Sequence, residues 1–185
     1  MTSGLTARDL AWAASFAALT AVGAFVAIPL GPVPFTLQPF FVLLAGLVLG
    51  ARLGLISMLV YVLVGLVAPV YHGGTSGLGV LGGPTGGYLW GFVLAPLVVG
   101  MLAGTLRPRT VVGLFAVCCA GLAPIYGLGA LWLAWQLHTT SFHVVVWGGI
   151  LQFLPFDVVK AFLAAVVARA LAASAVRPPV SVRPR

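Results

Sequence analysis

Apolar residues occupy this chain in long runs, broken by clusters of proline and glycine and by a few charges. Cutting at those breaks leaves six runs, at about 10–28, 36–50, 53–70, 85–105, 111–136 and 153–174. A helix that crosses a hydrocarbon core roughly 30 Å thick needs about 20 apolar residues. The runs therefore predict six spanning helices. The second is short, about 22 Å at 1.5 Å per residue, and spans only with extended ends or a thinned bilayer.

The polar positions order these runs. Arg8 precedes the first, Arg52 lies between the second and third, and Arg107 and Arg109 lie between the fourth and fifth. Arg169, Arg177, Arg183 and Arg185 end or follow the sixth. The connections at 29–35, 71–84 and 137–152 hold no Lys or Arg. Eight of the nine basic residues thus share one side, and the positive-inside rule makes it the cytoplasm. Both termini are expected inside. The expected fold class is an all-α membrane protein of six transmembrane helices, N-in and C-in. One domain covers 1–175, and 176–185 forms a Pro/Arg-rich cytoplasmic tail near anionic headgroups. No cleavable leader is expected, because residues 1–10 lack a small-residue cleavage site after a short apolar core.

Composition agrees with that picture and excludes others. Of 185 residues, 62% are hydrophobic and 6% charged, against roughly 25% charged in a soluble domain. Glutamate is absent, and the acids are Asp9 and Asp157 alone. A soluble globule, a disordered chain, a disulfide-stapled secreted domain and a His-Glu-x-x-His metalloprotease are all excluded. The net charge of +7 follows from topology and does not indicate nucleic-acid binding. Cys118 and Cys119 are adjacent and read as small packing residues.

Two charges stand at membrane depth. Asp157 and Lys160 are three residues apart, on one helix face. Pro155 suits the first turn of a helix, and an anion near that N-terminus is favoured by the helix dipole. Burying charge in hydrocarbon costs about 2.5–3.5 kcal/mol per residue on insertion scales. The pair is either a self-neutralised structural element or a ligand site. As a site, the carboxylate accepts N–H donors and the ammonium binds a carboxylate or a carbonyl oxygen.

Other features read in two ways. Ala13, Ala17 and Ala21 recur every four residues, with Ala14 and Ala18 beside them. Such small residues permit close helix contact, either within the bundle or with another protein. The segment 71–88 is glycine-rich and holds a formal GxGxxG at Gly77, Gly79 and Gly82. No strand precedes it and Pro84 interrupts the helix it would need, so the match is accidental. The segment reads as a loop folding back over the bundle, or as a flexible connector. Thr36 and Gln38 follow a stiff, proline-rich connection near the mouth of the bundle. His72, His138 and His143 have no metal-ligand spacing, and no metal or cofactor is expected. Trp90, Trp132, Trp135 and Trp147 lie near span ends, where an aromatic belt belongs.

Several of these segments together resemble the BioY family, the biotin-capturing S components of energy-coupling factor (ECF) transporters. Gly31-Pro32-Val33-Pro34-Phe35-Thr36-Leu37-Gln38 is similar to its P-V-P-x-T-x-Q segment. The likeness continues through Leu44-Ala45-Gly46, Gly50-Ala51-Arg52-Leu53-Gly54, and Tyr61 with Val64-Gly65. It is most specific in Gly83-Pro84-Thr85-Gly86-Gly87-Tyr88 with Gly91-Phe92. Phe153-Leu154-Pro155-Phe156-Asp157-Val158-Val159-Lys160-Ala161 resembles the P-G-D-x-x-K-A segment, with Phe156 where the family usually has glycine. That departure is expected to alter packing beside the acid.

The resemblance implies an outward-opening six-helix bundle with biotin under the outer loops. It also implies an alanine-rich first helix docking on a T component, with two ATPases below, in a bacterial-type cell membrane. It makes Asp157 and Lys160 ligand residues, and favours docking for Ala13, Ala14, Ala17, Ala18 and Ala21. Biotin's chemistry fits: its ureido group offers two N–H donors and a carbonyl, beside an apolar ring and a carboxylate. Asp157 would accept the ureido N–H groups, and Lys160 would bind either the ureido oxygen or the carboxylate. Tyr88, Gln38, Thr75, Ser76 and Thr85 are candidate polar partners. The sequence carries no GxxxxGK[ST] loop, so ATP-driven work falls to partners. The implied cycle is capture outside, closure of the glycine-rich loop, and release inside after reorientation against the T component. Rival readings are an S component for another vitamin, a stand-alone vitamin transporter, a structural bundle subunit, and an intramembrane enzyme with Asp157 as acid/base. The last is disfavoured by the lack of a second membrane acid.

Overall fold

The computed structural model describes residues 5–30, 33–108, 110–138 and 141–173. Arg109 and the tail 176–185, with Arg177, Arg183 and Arg185, lie outside the described residues. The chain is predominantly helical. Helix α1 (Ala7–Phe25) starts at Thr6, which forms a reciprocal capping box with Asp9. The Thr6 side chain accepts from the Asp9 amide at 3.2 Å, and the Thr6 amide donates to the Asp9 carboxylate at 3.0 Å. Beyond α1 the chain forms a minimal antiparallel pair, β1 (Ala27–Ile28) with β2 (Phe35–Thr36), in the register Ala27 to Thr36 and Ile28 to Phe35. This pair ties the end of α1 to the approach to the next helix.

Helix α2 (Gln38–Gly65) is broken at Gly50, whose φ of 75° and ψ of −178° are open to glycine and strained for other residues. The chain reverses there. The Gln38 and Tyr61 side chains meet at 2.6 Å, whereas a straight helix would separate them by about 35 Å. A Cβ on Gly54 would sit 3.4 Å from the Ala45 carbonyl oxygen, nine residues back. The arms 38–49 and 51–65 therefore lie side by side as a hairpin. This is the boundary at which the apolar pattern separates its second and third runs.

Helix α3 (Leu78–Gly82) is short, and α4 (Gly86–Leu106) packs over the hairpin. Gly100 of α4 is pressed against Ala51, and a side chain there would run into the hairpin backbone. Helix α5 (Val111–Gln136) is capped by Thr110, which accepts from the Gly113 amide at 3.1 Å. A short α6 (Phe142–Val146) runs through a π-helical stretch, Trp147–Leu151, towards α7 (Leu154–Ala173). The connection 137–152 is thus largely helical where the sequence pattern predicts a loop, its helical part, Phe142–Leu151, being mostly apolar.

Four helices are long and apolar enough to cross a membrane: Gln38–Gly65, Gly86–Leu106, Val111–Gln136 and Trp147–Ala173. Helix α1 is absent from that set among the described residues, being diluted by alanine, serine, threonine and two charges. Large apolar side chains such as Val22, Leu63, Val67, Val112 and Leu131 face outwards, as a lipid-facing surface requires. At one end, Arg8 and Arg52 both act electrostatically on Asp9, bringing the start of α1 beside the α2 turn.

Candidate functional site

The first turn of α7 carries the charged pair. Asp157 and Lys160 are only 4% and 5% exposed, so both charges are held away from solvent. Pro155 opens the helix ahead of them, and Asp157 lies where the α7 dipole favours an anion. Lys160 Nζ donates to Asp157 Oδ1 at 2.6 Å and to the Thr36 carbonyl oxygen at 2.6 Å. It stands 3.7 Å from the centroid of the Phe35 ring, a cation–π contact. An ammonium has three N–H bonds, and these three neighbours surround it. The other carboxylate oxygen, Asp157 Oδ2, accepts from the Tyr126 hydroxyl at 2.7 Å. Removing either charge would strand the other in a medium of low dielectric.

The pair opens into a cavity of about 510 Å³, counting the part that communicates with the outside. The α1–α2 connection forms one wall with Val33, Pro34 and Phe35. Leu89 and Phe92 of α4, Ile125 of α5 and Phe153 add apolar lining. Gln38, His72, Thr85, Tyr88 and Tyr126 line it together with Asp157 and Lys160.

A polar relay leads away from the pair. The Thr36 hydroxyl donates to Gln38 Oε1 at 2.9 Å, Gln38 Nε2 donates to the Tyr61 oxygen at 2.6 Å, and Tyr61 donates to the Val70 carbonyl at 3.0 Å. Tyr88 donates to the Gly149 carbonyl at 2.8 Å. His72 Nε2 lies 3.5 Å from Thr85 Oγ1 at the rim of the cavity, and burial pulls the imidazole pKa below its usual 6.5. Among the described residues no buried side-chain donor or acceptor lacks a partner.

The glycine-rich segment is pinned to the bundle. Gly77 N–H donates to the Gly65 carbonyl at 2.8 Å, and Trp132 Nε1 donates to the Gly83 carbonyl at 2.9 Å. The Gln136 amide also donates to the Gly82 carbonyl.

Of the residues singled out from sequence, Asp157, Lys160, Tyr88, Gln38 and Thr85 come together around the cavity. Thr75 and Ser76 do not. Both are exposed, and Thr75 donates to the carbonyl of His72 at 2.9 Å. Phe156 points outwards and packs edge-on against Phe35, with centroids 5.2 Å apart, so it braces the wall from behind. The alanine stripe divides. Ala13 and Ala17 are buried, with Ser57 donating to the Ala13 carbonyl at 2.7 Å, and Ala21 is partly buried. Ala14 and Ala18 are exposed.

Sequence reasoning missed the parts played by Tyr126 and Tyr61 and the cavity-lining position of His72. A phenol inside an otherwise apolar run was the available signal for Tyr126. No signal marks the Thr36 carbonyl, which is a backbone group.

Comparison with known proteins joins these observations. A family model described as "BioY family" matches residues 1–177. The chain is 43% identical over 162 residues to "Biotin transporter BioY" of Thermotoga maritima, covering 87% of this chain and 94% of that protein. It is 39% identical over 168 residues to "Probable biotin transporter BioY" of Pyrococcus horikoshii, covering 90% and 98%. Its fold is similar to that in "Crystal structure at 2.1 A of the S-component for biotin from an ECF-type ABC transporter". The TM-score is 0.86 at 27% identity, over 94% of this chain and 97% of that one. The motifs that line the cavity and the likeness along almost the whole length lead to one assignment: the chain belongs to the BioY family.

Proposed function

We propose that this protein is the substrate-binding S subunit of a biotin transporter, capturing biotin in the cavity above Asp157 and Lys160. The observation that carries this reading is the buried Asp157–Lys160 pair, capped by Tyr126, at the floor of a largely apolar cavity. The ureido N–H groups meet the remaining lone pairs of the Asp157 carboxylate. The ring lies against Phe92, Ile125 and Phe153, and Gln38, Tyr88 and Thr85 supply polar edges. Thr75 and Ser76 stand outside the cavity and reach the ligand only on closure of the loop.

The bundle crosses the membrane six times, with both termini in the cytoplasm. Helix α1, the two arms of α2, α4, α5 and α7 make the crossings, and residues 1–175 form one domain. The α2 hairpin supports this count, because one helical run supplies two antiparallel arms. The exposed Ala14–Ala18 face is the side offered to a T component, and two ATPases supply the energy. Ala13, Ala17 and Ala21 hold α1 to its own bundle and contribute to docking by setting its tilt. The protein carries out transport and performs no chemistry on its ligand.

Isothermal titration of the purified protein with biotin, thiamine and riboflavin tests the reading. Binding of biotin alone, lost in Asp157→Asn, is expected. Wild-type biotin affinity in Asp157→Asn, or preference for another vitamin, overturns it.

A further inference from the structure

The cavity's charge is unbalanced for an anionic ligand. Asp157 and Lys160 neutralise one another, and the three N–H bonds of Lys160 already face Asp157, the Thr36 carbonyl and the Phe35 ring. A carboxylate entering this space finds no spare cation at the floor. A buried, unpaired carboxylate is strongly unfavourable. Among the described residues that line the cavity, His72 is the other side chain able to become a cation.

His72 sits at the outer mouth, on the short turn His72–Gly74, and is half-buried. Its backbone is fixed on both sides. The Thr75 amide and hydroxyl both donate to the His72 carbonyl, and the Tyr71 amide donates to the Thr75 carbonyl. Among the described residues its Nε2 meets Thr85 Oγ1, at the long distance of 3.5 Å. That spacing leaves both groups able to turn towards a third partner.

We propose that His72, with Thr85, receives the carboxylate of the ligand at the mouth of the cavity and takes up a proton as it does so, so that capture strengthens in mildly acidic surroundings. This rests on the reading of the ligand as biotin. It also assigns the ends: the ureido ring lies inward at Asp157 and Tyr126, and the carboxylate lies outward. The proton balance is simple. One proton from solvent enters the imidazole on binding and leaves on release.

Few other charges compete. The end of α1 that packs on this turn, from Val22 to Phe25, holds no titratable group. Helix α4 presents Thr85 and Tyr88, and α5 presents Tyr126. From α7 come only Asp157 and Lys160, which are paired. Tyr71, next in sequence, donates its hydroxyl to the Val62 carbonyl at 2.7 Å and points away. Burial lowers the imidazole pKa while the cavity is empty, and an anion arriving beside it acts in the opposite direction, drawing in a proton.

The experiment is titration of the full chain in lipid nanodiscs with biotin and with its neutral carboxamide, from pH 8.0 to 5.5. Biotin affinity is expected to rise several-fold towards pH 5.5, at most about tenfold per pH unit. The carboxamide profile is expected to stay flat. His72→Gln is expected to bind biotin more weakly and to flatten its profile, and His72→Lys to bind it tightly at every pH. Parallel profiles for biotin and carboxamide in the wild type, or a wild-type slope in His72→Gln, overturn the proposal while leaving biotin binding intact. Failure of the wild type to bind either compound overturns the biotin reading and this proposal together. Should His72→Gln fail to fold, the two wild-type profiles still decide.

Discussion

The hydroxyl of Tyr126 donates to Asp157 Oδ2 at 2.7 Å, across two helices and 31 positions of sequence. With Lys160 on the other oxygen, the carboxylate is fixed in plane and faces the cavity along its remaining lone pairs. A hydrogen bond to a charged group contributes about 1.5–3 kcal/mol. Tyr126→Phe should therefore weaken biotin binding by about tenfold or more. Calorimetry on the purified variant checks this, and an unchanged affinity refutes the role.

The pair can be tested for structure and ligand separately. Lys160→Met leaves the Asp157 carboxylate buried without its counter-ion, and breaking such a pair costs about 3–5 kcal/mol. Its thermal midpoint in detergent should fall well below that of the wild type. Asp157→Asn combined with Lys160→Met removes both charges, and should recover much of that loss. Neither variant should bind biotin. A double variant as unstable as Lys160→Met would show that charge burial is not the cause.

The reversal in α2 depends on one backbone conformation. Gly50 is buried with φ at 75°, and a side chain there carries a strain of about 1–3 kcal/mol. Gly50→Ala should lower the melting temperature and reduce ligand binding, because the hairpin brings Gln38 to Tyr61. Gly104, in the last turns of α4, has open space around its Cβ position. Gly104→Ala should be neutral or stabilise by up to about 1 kcal/mol. Equal melting temperatures for Gly50→Ala and the wild type would refute this account.

The two faces of α1 should separate assembly from folding. Ala18→Trp adds bulk to an exposed position and should leave biotin binding unchanged while preventing co-purification with a T component. Ala13→Trp enters the packed contact with α2, where the alanine is 1% exposed, and should destabilise the isolated subunit. Normal co-purification of Ala18→Trp would rule out this face as the docking surface.

Much of this arrangement was legible in the residues. Charges at Arg8, Arg52, Arg107 and Arg169 mark the ends of apolar runs, because arginine in hydrocarbon is costly. Asp157 and Lys160 stood out for the same reason, and their spacing of three predicted their contact. The partners of the pair were not legible. Tyr126 reaches it from α5 and Thr36 from β2, and tertiary neighbours leave no local pattern. Thr75 and Ser76 were chosen for polarity in a glycine-rich segment, but polarity alone does not say whether a loop side chain faces a cavity or water. The division of the alanine stripe was hidden too. Ala13 and Ala14 differ by 100° around a helix, and only the position of α2 decides which of them is covered.

The bond from Lys160 to the Thr36 carbonyl joins groups 124 positions apart. Synthesis runs from the N-terminus, so the proline-rich connection and its β pair emerge long before α7. Until α7 enters the membrane, the proline-rich connection lacks this fastening and the cavity lacks its floor. Binding competence is therefore acquired in a single late step of biogenesis, and a chain halted after α5 would be membrane-inserted yet blind to its ligand.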